Sequence, residues 1–153
     1  MRRLFLWVLL ATVSLWSQVH PPSAGPFSIT ITAPPAEVKM GKEIEIKIRL
    51  TNVSDHKISV PEFYENGVNV SYSYDVRDDK GQLVAKKSKR RFGGSVGQRT
   101  VRVGESVEVG TLVSRVFDMS RPGQYVIHVS RPIPDDPNGG VVTSNTLYVT
   151  VTP

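Results

Sequence analysis

Residues 43 to 50 read "EIEIKIRL", in which Ile44, Ile46, Ile48 and Leu50 alternate with Glu43, Glu45, Lys47 and Arg49. A period of two over that length is the mark of a strand with one buried face. "PFSITIT" repeats the device with Phe27, Ile29 and Ile31, and "NVSYSYDV" with Val70, Tyr72, Tyr74 and Val76. "QLVAKK", "SVEVGTLVS", "QYVIHVS" and "VVTSNTLYVTV" are further strand candidates. Turn-forming clusters separate them: "PPAEVKMGK", "NVSDHK", "DDKG", "MSRPG" and "PDDPNGG". The pattern predicts seven strands, lettered A (27 to 33), B (43 to 51), C (69 to 77), C′ (82 to 87), E (106 to 113), F (122 to 130) and G (141 to 152). Short strands at this spacing, with no helical period between them and no internal repeat, predict an all-β, Ig-like antiparallel sandwich.

The first residues follow a different rule. In "MRRLFLWVLLATVSLWSQ", Arg2 and Arg3 precede an uncharged, mostly apolar stretch from Leu4 to Trp16, the layout of a secretory signal peptide. That stretch falls short of the roughly 20 residues a membrane-crossing helix needs, so cleavage is expected between 17 and 24, with no stable span afterwards. A retained anchor is the alternative. Residues 18–26 then form a linker and 27–153 the sandwich, in a protein expected to be secreted or periplasmic in a bacterial envelope. The chain contains no cysteine, which excludes disulfides, thiolate metal sites and a cysteine nucleophile. It ends directly after the last strand, so no sorting or anchoring tail is expected.

Charge changes the picture at one place. The formal net charge of the 153-residue chain is +5, from 19 basic and 14 acidic residues. Lys86, Lys87, Lys89, Arg90, Arg91, Arg99 and Arg102 lie together in "AKKSKRRFGGSVGQRTVR", which has no carboxylate. Outside that run and the two N-terminal arginines the chain is net acidic, so its basicity is local. The run is expected to be a C′ to E loop, kept mobile by Gly93, Gly94 and Gly97. Three readings stand for it: a solvated connection, a contact for an acidic polymer, or a contact for a partner protein. Phe92 alone offers a stacking surface, and a secreted protein seldom meets nucleic acid, so nucleic acid is set aside as a partner.

"FDMSRPGQYVIHV" has positional meaning. Asp118 and Ser120 can satisfy turn groups, Pro122 and Gly123 reverse the chain, and Tyr125 opens a strand with Ile127 and Val129 on its face. That is the arrangement of the tyrosine corner of a sandwich, where the hydroxyl bonds back to the turn. Ile127 then takes the core site that a disulfide cysteine holds in antibody domains, opposite an isoleucine of strand B. Tyr72 or Tyr74 stands in for the strand C tryptophan. The segment resembles small Ig-like or fibronectin-III-like domains of secreted bacterial proteins, in which "L-x-P-G-E-S" precedes "Y-D-L-S-K-P-G-x-Y". "VRVGESVEV" resembles the first motif at Gly104, Glu105 and Ser106, with Val103 in the proline position. "IRLTNVSDHKISV" resembles their "L-x-N-x-S-x-x-x-I" pattern. Such domains occur alone, beside metallopeptidase domains and as proteinase inhibitors, so the resemblance implies a fold and leaves the function open.

Sites for chemistry are sparse. His20 lies in the linker, His56 in a polar turn beside Asp55, and His128 on the strand face opposite Tyr125 and Ile127, with neither G-x-S-x-G nor H-E-x-x-H present. Asp75, Asp78 and Asp79, and Asp135 with Asp136, read as turns more readily than as a calcium site. "FGGSVGQR" lacks the lysine and the helix of a phosphate loop. The "NVS" triplets at Asn52 and Asn69 match a glycosylation sequon without further support. No catalytic residue, metal or cofactor is expected. The sequence points to a non-enzymatic binding module whose partner, an unknown protein or an acidic polymer, would meet the basic run. The alternatives are a proteinase inhibitor presenting residues 88 to 98 and an envelope structural protein.

Overall fold

The computed structural model describes residues 25–33, 37–65, 68–87, 94–134 and 136–153. The expected signal peptide therefore lies outside the described residues, as do Lys89, Arg90, Arg91 and Asp135. Eleven strands form: β1 (Phe27–Thr32), β2 (Glu37–Lys39), β3 (Glu45–Asn52), β4 (Ile58–Glu65), β5 (Val68–Asn69), β6 (Ser73–Arg77), β7 (Gly94–Val101), β8 (Ser106–Leu112), β9 (Gly123–Pro132), β10 (Val141–Thr143) and β11 (Leu147–Thr152). A 3-10 turn covers Val113–Arg115.

One sheet has the order β1-β3-β8, all antiparallel, and corresponds to strands A, B and E. In the second, β9 pairs with β6 on one side and with β10 and β11 on the other, and β2 joins β11 in parallel. These are strands C, F, G and a short A′. The chain is thus an all-β sandwich of Ig-like order. The alternation read from "EIEIKIRL" is physical: Ile44, Ile46, Ile48 and Leu50 are buried and their charged neighbours exposed. Phe27 and Ile31 of β1, Val76 of β6, Ile127 and Val129 of β9 and Val149 of β11 complete the same core. Each such side chain contributes about 1.5–3 kcal/mol by leaving water.

Three expectations are corrected. Residues 82 to 87 are not a strand; they hold isolated bridges from Leu83 to Arg77 and from Lys86 to Phe117. Asp78 accepts the N–H groups of Lys80 and Gln82, which turns the chain tightly after β6 and leaves no straight partner for a ladder. Strand G is divided into β10 and β11 because Asn145 turns to β1, accepting from the Ile31 N–H at 2.7 Å and donating to the Ile31 carbonyl at 3.1 Å. The side-chain amide there occupies the place of a neighbouring strand. Finally, "GSVGQRTV", expected to be mobile loop, is the eight-residue strand β7. It is held by β4, a strand the alternation does not announce, through a register from Ile58↔Val101 to Glu65↔Gly94.

Candidate interaction surface

β4 and β7 continue strands B and E beyond a joint. At one side of the joint Thr51 pairs with Ser106 in the sandwich, and at the other Ile58 pairs with Val101 in the ribbon. Asn52, only 1% exposed, stitches the two parts together. Its Nδ2 donates to the carbonyls of His56 (2.8 Å) and Val101 (3.0 Å), and its Oδ1 accepts from the N–H and hydroxyl of Ser54. Its backbone N–H donates to the Glu105 carbonyl, and its own carbonyl accepts from Gly104. Gly104 takes φ +73°, a value suited to glycine, at the turn that carries E back into β7. Asn69, the other sequon residue, is fully buried, so both asparagines are structural.

The ribbon's hydrogen-bond phase can be read from β4. Pro61 has no N–H, and its carbonyl accepts from Arg131 Nη2. The Phe63 N–H donates to Ser71 Oγ at 2.8 Å, and its carbonyl accepts from the Val70 N–H at 2.7 Å. Residues 61 and 63 therefore turn their backbone groups away from β7, and the ladder runs through 60, 62 and 64 with 99, 97 and 95. By the same alternation the N–H and C=O groups of Val96, Gln98 and Thr100 point to the far edge of β7. Among the described residues β7 has no second neighbour there.

The two faces of the ribbon differ. The inner one carries Val60 and Val101, both buried, and Glu62, whose Oε2 lies 3.5 Å from Arg99 Nη2. The outer one carries a row of exposed apolar side chains: Val70 in the turn after β5, Phe63 of β4 and Val96 of β7, the last 75% exposed. Gln98 Nε2 donates to Ser59 Oγ on that same face.

Of the seven basic residues, the four that are described do not form one patch. Lys86 lies over the Phe117 ring at 5.9 Å, and Lys87 Nζ donates to the Ser114 carbonyl, both at the turn after β8. Arg99 is on the inner face of β7, and the Arg102 N–H donates to Glu105 at the turn before β8. The seven residues of β8 lie between the two groups, about 20 Å of strand. In the corner segment, the Tyr125 hydroxyl donates to the Arg121 carbonyl at 2.8 Å, and Ser120 Oγ to Asp118 at 2.7 Å. Gly123 has φ +148°, where Pro122 hands the chain to β9. The Ser120 hydroxyl holds the Asp118 carboxyl below its usual range, while burial pushes the Tyr125 hydroxyl up.

One functional-looking residue carries only a weak signal in the sequence, its place two positions beyond Val129 in the buried phase of β9. Arg131, in the same buried phase of β9 as Tyr125, Ile127 and Val129, is 3% exposed, with its guanidinium 4.9 Å from the centre of the Tyr72 ring. It borders a cleft of about 240 Å³ lined also by Phe27, His56, Lys57, Ser59 and Pro134. Burial raises the Tyr72 hydroxyl pKa, and the Arg131 charge opposes that.

The nearest approach to a hydrolytic constellation is on β9, where His128 Nε2 lies 2.9 Å from Thr146 Oγ1 and opposite Asp75. Asp75 is instead bonded through both oxygens to Arg77, at 2.8 and 3.0 Å. A triad needs that carboxylate on the imidazole. Among the described residues no group of three or more histidine and carboxylate side chains could hold a metal ion, and no helix is long and apolar enough to cross a membrane.

Fold and surface together define an Ig-like β-sandwich with a one-sided ribbon grown from its B and E strands. No protein-family model matches the chain. A search of curated proteins gives no match. Among solved structures, the CARDB domain of the PF1109 protein from Pyrococcus furiosus is similar at 15% identity with a TM-score of 0.44, covering 82% of this chain and 87% of that one. The sporulation control protein Spo0M of Bacillus subtilis is similar at 12% identity and a TM-score of 0.46, over 84% of this chain and 50% of Spo0M. The alkylpurine DNA glycosylase AlkC of Pseudomonas fluorescens is similar at 14% and 0.45, with 84% of this chain spanning 31% of the glycosylase. Likeness at this level says nothing about activity or ligands.

Proposed function

We propose that the chain is a secreted or periplasmic, non-enzymatic binding module of fibronectin-III-like type that meets an anionic partner through residues 86 to 102. The observation that carries this reading is β7. A strand within the most basic segment of the chain has its residues from Val96 to Thr100 exposed and one backbone edge unoccupied among the described residues. An ordered strand loses less entropy on binding than a mobile loop. The inhibitor alternative loses support, because residues 94 to 98 are laddered to β4 and are not a free loop that a protease cleft could take up.

The test compares the wild type with a variant in which Lys86, Lys87, Lys89, Arg90 and Arg91 are serine, in pull-downs from envelope and culture fluid at 50 and 200 mM salt. A partner retained by the wild type, weakened by salt and lost in the variant supports the reading. Equal retention by both proteins overturns it.

A further inference from the structure

Resting on that reading, we infer that the partner is a protein segment that adds to the edge of β7 as an extended strand, alternating apolar with acidic side chains. Three observations converge on this edge. The donors and acceptors of Val96, Gln98 and Thr100 point away from β4, which gives an incoming strand a ready hydrogen-bond template. Natural edges of such length are usually blunted by proline, a bulge or an inward-pointing charge. β7 has no proline, its ladder to β4 is continuous over eight pairs, and its one charged side chain, Arg99, already faces Glu62 across the ladder.

Side-chain chemistry sets the sequence of the occupant. On the outer face the row Val70, Phe63, Val96 stops at the edge, so an added strand would place its own side chain directly beside Val96. An aliphatic residue there extends the row and covers Val96. On the inner face the neighbour of an added strand is Arg99, so the alternate positions favour Asp or Glu. Charge also decides against a second copy of this chain. An antiparallel β7 pair would set two copies of a segment with seven basic and no acidic residues side by side. Like charges brought close together across a ladder destabilise it.

The experiment uses the full chain and a fluorescein-labelled (Val-Glu)4 peptide with blocked ends. Its comparators are the same peptide N-methylated at alternate residues, and (Asp-Pro)4, which carries the same charge but cannot form a ladder. The key variant is Gln98→Pro. Position 98 faces Pro61 in a pair without ladder hydrogen bonds, so a proline there takes only an outward N–H from the backbone, and the side-chain bond to Ser59 that it also loses is lost equally in Gln98→Ala. Binding of (Val-Glu)4 is expected to weaken at least tenfold in Q98P and on N-methylation, and to change less than twofold in Q98A. Amide exchange in the wild type needs no variant: the peptide should slow exchange at Val96, Gln98 and Thr100 and leave Gly97 and Arg99, already bonded to β4, unchanged. If (Asp-Pro)4 binds as tightly as (Val-Glu)4 and Q98P has no effect, strand addition is wrong while the anionic contact stands. If neither peptide binds in 50 mM salt, strand addition and the anionic contact both fail.

Discussion

Changing Asn52 to alanine removes four hydrogen bonds at the joint between sandwich and ribbon, those to Ser54 N, Ser54 Oγ, His56 O and Val101 O. None of the backbone partners is wholly orphaned. The Ser54 N–H also reaches the Pro26 carbonyl, the His56 carbonyl also accepts from Ser54 Oγ, and the Val101 carbonyl faces Ile58 in the ladder. The loss is therefore the net value of the bonds, about 0.5–1.5 kcal/mol each and weakest at the exposed ends, for a total of about 2–4 kcal/mol. At this domain size that lowers the melting temperature by about 6–12 °C. Asn52→Asp keeps the acceptor for Ser54 but sets a carboxylate against the His56 and Val101 carbonyls inside the protein. It should cost more than the alanine at neutral pH and recover part of the difference as the carboxyl protonates. Urea unfolding followed by circular dichroism measures both. A loss below about 1 kcal/mol for N52A, or N52D no worse than N52A at pH 7, would refute the assignment of Asn52 as the joint.

Tyr125→Phe should cost about 1 kcal/mol, the value of its bond to Arg121, in the same urea titration, and an unchanged midpoint would remove the corner from the account of stability. Ile127→Ala, at a fully buried site, should cost about 2–5 kcal/mol; a loss under 1 would mean that this part of the core is loosely packed. Burial raises the hydroxyl pKa of Tyr72, Tyr74 and Tyr125 above the ordinary 10.0. Their folded-state preference for the neutral form is fully present below pH 10 and is lost as the pH climbs past it, so stability should fall in the alkaline range. Ultraviolet titration at 295 nm should show these three ionising above the ordinary 10.0 in the folded protein, and three or more of the five tyrosines titrating near 10 would contradict it. Arg131→Ala removes the donor to Pro61 and the stacking on Tyr72, and should cost about 2–4 kcal/mol, again measured by urea unfolding.

β3 was legible because Ile44, Ile46, Ile48 and Leu50 face one core, and a half-buried strand writes its environment into its own sequence. β1, β8 and β9 were legible for the same reason, and β6 over Tyr74 and Val76, whereas strand C, predicted from residue 69, breaks at a turn that leaves Val70 exposed. β4 was not. In "ISVPEFYE" the buried phase holds Val60 and Glu62 while Phe63 is exposed, and Pro61 argues against a strand until its carbonyl is seen to serve Arg131 instead of the ladder. β7 was hidden more deeply, since two glycines and an exposed polar run have no strand preference of their own. Its structure is imposed by a partner about thirty to forty residues away in the chain. The basic residues were legible as a cluster in sequence, but their division between the two ends of β8 depends on pairings that no local pattern records. Arg131 follows Tyr125, Ile127 and Val129 in the buried phase of β9, so the alternation places it inward, but a charged residue at a strand end reads as exposed until its guanidinium is seen against Tyr72 and Pro61.

The joint at Asn52 also imposes an order of assembly. Pairing Ile58 with Val101 in an otherwise unfolded chain means closing a loop of about forty residues for a single contact, with an entropy cost that nothing yet offsets. Once B and E have paired as far as Thr51 and Ser106, the same two residues are separated by only a turn on each side, and the ribbon can zip outward from the joint one pair at a time. The ribbon is thus a late and reversible part of the fold, able to fray from its tip at Glu65 and Gly94 while the sandwich stays closed. A strand captured along β7 would arrest that fraying, so the ribbon's opening rate would report on occupancy without any change in the sandwich itself.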